Sequence, residues 1–149
     1  MTHAMPDPFR ITQEVLDRSS AALVRADEAA FLAYIALPFT AILPPDTNVI
    51  SDPAHLRAVY RALSNYFSAE SISDLDRHCV AATFVRDDEI MATYESRYIV
   101  KTRLLAQRTV AIIRLRRDGG DWRIFEGHFT FRDTPTRLIN ALLLPPPSD

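Results

Sequence analysis

Residues 104–131 read LLAQRTVAIIRLRRDGGDWRIFEGHFTF, and the folding of this stretch decides the architecture of the chain. Its apolar residues recur at every second position, the period of a half-buried strand. Gly119 and Gly120 supply the positive φ that a two-residue hairpin turn requires, so Asp118 faces Asp121 and the register of both strands follows. One face then collects Gln107, Thr109, Ala111, Ile113 and Leu115 with Trp122, Ile124, Glu126, His128 and Thr130. The other collects Arg108, Val110, Ile112, Arg114 and Arg116 with Arg123, Phe125, Phe129 and Phe131.

Working outward, residues 78–99, HCVAATFVRDDEIMATYESRYI, repeat the pattern as a second hairpin about Asp87 and Asp88. Its one face holds His78, Val80, Ala82, Phe84, Met91, Thr93, Glu95 and Arg97; the opposite face holds Cys79, Ala81, Thr83, Ile90, Ala92, Tyr94, Ser96 and Tyr98. Small residues with two tyrosines also suit a cavity wall, so either face of this hairpin satisfies a concave position. Before residue 72 the period is 3.6. Leu56, Val59, Tyr60, Leu63 and Phe67 mark an amphipathic helix that Asp52 caps and Pro53 opens. Val15, Leu16, Ser19, Ala22, Leu23 and Ala26 mark an earlier one. Between them, Asp27 caps a short helix with Ala30, Phe31, Tyr34 and Ile35 on its buried face, ending before Pro38. Residues 39–50, FTAILPPDTNVI, read as a short edge strand with a turn at the prolines. The tail predicts one more short helix, from Pro135 to before Pro145, whose Leu138, Ile139, Leu142 and Leu143 must dock on their own domain or on a partner chain.

A chain of 149 residues with 48% apolar and 24% charged residues fits one globular domain with one substantial core. No apolar run reaches the roughly 18 residues that span a bilayer, and a net charge of −2 provides no general attraction for nucleic acid. A single cysteine, Cys79, cannot form an internal disulfide, which agrees with a cytoplasmic location. The four histidines lack metal-ligand spacing and the three glycines form no phosphate loop, so neither a metal nor another cofactor is expected.

Three helices followed by two long hairpins form an α+β layout with the helices covering one sheet face. That order, closing on Gly120, Trp122, Ile124 and His128 along one strand, resembles the NTF2-like superfamily and its SnoaL-like members. The resemblance implies a single domain over 1–149, with a core at about 10–132 and a C-terminal segment at 133–149. It also implies a cone in which three N-terminal helices pack on a strongly bent antiparallel sheet around an internal pocket. NTF2-like proteins commonly dimerise through the open sheet face, here the face bearing Val110, Ile112, Phe125, Phe129 and Phe131.

With Trp122 and Ile124 in the core, Glu126 and His128 would project into the cone. There, burial raising a carboxyl's pKa and an imidazole lowering it would make a proton donor and acceptor. Gln107, Trp122, Tyr34, Asp46 and Tyr60 complete the candidate ligand-binding set; some relatives draw a base from the region of Asp46, although PPDT is equally a turn. Two functions follow. One is binding of a small apolar molecule, and the other is a SnoaL-like isomerase, dehydratase or hydrolase using Glu126 and His128.

Overall fold

Asp7 opens the first helix by accepting a hydrogen bond from the Phe9 amide at 2.9 Å, and Pro8 occupies the first turn, where its missing N–H costs nothing. The computed structural model describes residues 7–101, 103–104, 109–130 and 134–148. Helix α1 (Pro8–Val24) buries Val15, Leu16, Ser19, Ala22 and Leu23, and the chain leaves it through Ala26 at a φ of 57°. Helix α2 (Glu28–Leu32) is capped by Asp27. Helix α3 (Pro53–Ala69), capped by Asp52 on the His55 amide at 3.0 Å, buries the predicted stripe and also His55 and Tyr66. Helix α4 (Thr136–Leu142) packs beside α3.

The strands are β1 (Ile35–Leu43), β2 (Asp46–Ile50), β3 (Asp74–Arg86), β4 (Glu89–Val100), β5 (Arg103–Leu104), β6 (Thr109–Asp118) and β7 (Asp121–His128). They form one sheet in the order β2-β1-β7-β6-β4-β3, with β5 paired to β4. Both long hairpins turn where the sequence places them, with Arg86 opposite Glu89 and Asp118 opposite Asp121. The inner face and the helices enclose a core in which Leu16, Leu43, Ile50, Ile90 and Leu115 are wholly buried. The α+β architecture is as the sequence predicts.

Three details differ from the sequence reading. Helix α2 stops at Leu32, Tyr34 lies in the turn with its carbonyl accepting from the Ile124 amide at 2.8 Å, and Ile35 begins β1. Pairing with β7 outweighs the weak preference of a helix this short. The sheet is also not wholly antiparallel, because β1 lies parallel to β7. The third difference is a bulge. Arg114 pairs with Glu126 but Leu115 pairs with Ile124, which leaves Phe125 unpaired. Since side chains alternate strictly, the extra residue exchanges the faces of everything after it. A similar irregularity lies between Cys79 and Ala81, after which Ala82 and Phe84 turn inward to pack against the core.

The other sheet edge is guarded by a side chain. Gln13 of α1 accepts from the Cys79 amide and donates to the Arg77 carbonyl, both at 2.8 Å, so its amide occupies backbone positions that a further strand would take.

Candidate functional site

The bulge at Phe125 separates the polar pair from the interior. Glu126 and His128 stand opposite Arg114 and Ile112 on the outer face. Their side chains are 19% and 45% exposed, and His128 Nε2 lies 3.7 Å from Glu126 Oε2. Glu126 also sits 3.6 Å from Arg114, whose guanidinium bonds Glu89 at 2.6 Å and covers the Phe125 ring. The hydrogen bond to Glu89, aided by the charges of Glu89 and Glu126 and opposed by partial burial, favours the charged form of Arg114. This is a surface ion-pair row, so the expectation that Glu126 and His128 project into the cone is corrected.

The other candidates separate. Tyr34 and Trp122 meet in a surface groove of about 380 Å³, together with Glu14, Arg18 and Arg123. Asp46 is exposed at the start of β2, paired with Leu43 beside the proline turn, and lines neither space. Gln107 lies outside the described residues. Among the described residues of the set, Tyr60 alone lines the interior cavity. In the other hairpin, the register irregularities set His78 opposite Glu95, where it is exposed and lies 3.4 Å from Asp76.

That cavity holds about 110 Å³ between α3, α4 and the inner sheet face. Its wall is largely aliphatic and aromatic, including Phe31, Val59, Ile113 and Leu138. The polar groups are few. Tyr60, 4% exposed, packs on Phe31 with ring centres 5.4 Å apart, and its buried hydroxyl has no hydrogen-bond partner among the described residues. Tyr98 is buried beside Tyr94; burial first, then the neighbouring phenol, raises its pKa, against smaller lowering effects of Arg77 and a hydrogen bond with Thr109. It is therefore a neutral phenol at ordinary pH.

Arg77 stands across from Ser96 on the inner face. Its Nε donates to Ser20 Oγ at 2.7 Å and its Nη2 to Ser19 Oγ at 2.5 Å and the Leu16 carbonyl at 3.2 Å. The guanidinium lies 5.6 Å from the centre of the Tyr94 ring. Among the described residues it meets no carboxylate. Sequence reasoning missed Arg77 because it began the strand at His78. Begun at Asp74, the alternation puts Leu75, Arg77 and Cys79 on one face, which would have drawn attention to a cation between two core residues.

No protein-family model and no curated protein matches this sequence. Solved structures do match the fold. An NTF2-like protein of unknown function from Shewanella oneidensis superposes with a TM-score of 0.62 at 13% identity, over 83% of this chain and 99% of that one. A domain of unknown function with a cystatin-like fold from Nostoc punctiforme gives 0.66 at 12% identity, over 89% and 81%. A protein provisionally named a dehydratase of the NTF2-like family, from Streptomyces avermitilis, gives 0.59 at 13% identity, over 82% and 94%. Helices laid across a bent sheet, an apolar chamber between them and these superpositions lead to one conclusion: the chain has the NTF2-like fold.

Proposed function

We propose that this protein binds a small, mostly apolar molecule in the chamber between α3, α4 and the sheet, and holds it without acid–base chemistry. The buried, unpartnered hydroxyl of Tyr60 carries this reading. A hydroxyl that is cut off from water and lacks a partner costs about 1–3 kcal/mol, a cost relieved by a ligand atom that accepts a hydrogen bond from it. The binding reading is favoured over catalysis by the wall itself. Among the described residues it includes no carboxylate and no imidazole, only phenols and one guanidinium. The dehydratase-like relative supports the enzyme alternative only at the level of fold.

Tyr60→Phe tests the reading. The ligand-free variant is expected to be more stable than the parent by about 1 kcal/mol in urea unfolding, because the orphan hydroxyl is gone. Methyl and aromatic NMR shifts of wall residues should move on titration with benzene, a molecule that apolar cavities of about 150 Å³ accept. A variant less stable than the parent, with no benzene-induced shifts in the parent, would refute a binding chamber.

We also propose a homodimer through the outer sheet face, where Met91, Val110 and Ile112 are 45%, 44% and 41% exposed. The patch differs from the predicted one. The bulge turns Phe129 inward against the core, while Phe125 is covered by Arg114 and Arg116 at 5.1 and 5.7 Å; Phe131 lies outside the described residues. A two-fold axis over this face would bury the three aliphatic side chains against their own copies. Light scattering should give twice the chain's 16.9 kDa, and Ile112→Glu should halve that mass. A monomeric parent at micromolar concentration sinks the dimer.

A further inference from the structure

Arg77 is the one permanent charge in the chamber wall among the described residues, and its arrangement has the form of a receptor. A guanidinium has five N–H donors. Two of its nitrogens are held by Ser19, Ser20 and the Leu16 carbonyl, all neutral acceptors, and its flat face lies over Tyr94. These contacts fix the plane of the group without neutralising it, and no hydrogen bond occupies Nη1 among the described residues. Arg77 is only partly buried, and one carboxylate against its pre-oriented guanidinium forms the strong, charge-assisted kind of hydrogen bond. The rest of the wall is apolar and the space about 110 Å³, which suits a compact hydrocarbon body and a single anionic head.

We infer that the chamber takes a small carboxylate with an apolar body, its carboxylate received by Arg77. This rests on the reading of the chamber as a binding site and adds the chemical class of its ligand. A phosphate or sulfate, with more oxygens to satisfy than one guanidinium edge and an apolar wall can serve, fits less well.

The test uses the full chain at neutral pH and three probes, followed by NMR shifts of wall residues. Isobutyrate and isobutyramide match in shape and differ in charge, and benzene reports whether the chamber accepts an apolar guest. The expected result is isobutyrate binding about tenfold tighter than isobutyramide, the gain of one charge-assisted hydrogen bond, with benzene displacing it. In Arg77→Met the ratio should fall to about one, through loss of the charge. Arg77→Gln serves the same purpose if the Met variant does not fold, and the wild-type ratio needs no variant. Equal binding of isobutyrate and isobutyramide, or isobutyrate that benzene does not displace, overturns the assignment to Arg77 while benzene binding leaves the chamber standing. Failure of all three probes overturns the binding chamber itself.

Discussion

A chain ending at residue 133 is expected to lose most of its stability and to aggregate. Helix α4 buries Leu138, Ile139 and Leu142 under the chamber, and Leu138 and Leu142 are part of its wall. At roughly 1.5–3 kcal/mol for each large aliphatic side chain, their removal costs on the order of 5 kcal/mol, against a total of about 5–15 for a typical domain. The loss is not only apolar. Asn48 donates to the carbonyls of Leu142 and Leu144 at 2.9 and 2.8 Å, and the His55 ring, 1% exposed, lies 2.7 Å from the Leu144 carbonyl through Nε2. Both polar side chains would lose these partners on truncation. The segment docks on its own chain, so the effect should be independent of protein concentration. A truncated protein with an unchanged urea midpoint would show that α4 is not a structural wall.

The second large effect lies at Gly127. Because of the bulge this residue points inward, and a Cβ placed on it would come within 2.8 Å of the Phe129 ring and 3.6 Å of Phe39. Gly127→Ala should therefore destabilise by about 1–3 kcal/mol through overpacking, and Gly127→Leu should prevent folding. The sign is the informative part. On a strand without the bulge, Gly127 would face outward, and alanine there would be neutral or stabilising by about 0.4–1 kcal/mol through the unfolded chain. Adding Phe129→Leu to Gly127→Ala should restore part of the loss, since the ring is what the new methyl strikes. Equilibrium unfolding of the single and double variants checks both statements.

These effects also mark how much the sequence discloses. Helix α3 was legible because Asp52, Pro53 and the stripe from Leu56 to Phe67 agree with one another. Both hairpin turns were legible because Asp87 and Asp88, and Gly119 and Gly120, interrupt alternating runs at the only points where the period restarts. The faces beyond Phe125 were not: the interior Gly127, of the kind that often marks a bulge, was the one local sign in RIFEGHF, while Glu126 and His128 alternate with Trp122 and Ile124 as regularly as in an unbroken strand. The strand identity of Ile35 was hidden for a different reason. Its partner Ile124 is 89 residues away by position, and such pairing leaves no local trace. Of the candidate site, Tyr60 was found through the helical stripe, while Arg77 was lost with the first residues of its strand.

The unpaired Phe125 gives this architecture a phase setting. Were the bulge smoothed out with every residue kept, Arg114 would pair with Phe125, and Glu126 and His128 would turn into the chamber while Gly127 and Phe129 rotated out of it; deleting Phe125 would instead leave both faces as they are. Two chains of this shape could thus differ in whether their interior holds an ionisable couple or an inert wall, with every chemically distinctive residue still present in both. In such chains the gain or loss of a bulge alters the interior chemistry more than a substitution does, and a comparison that scores only matching letters would overlook it.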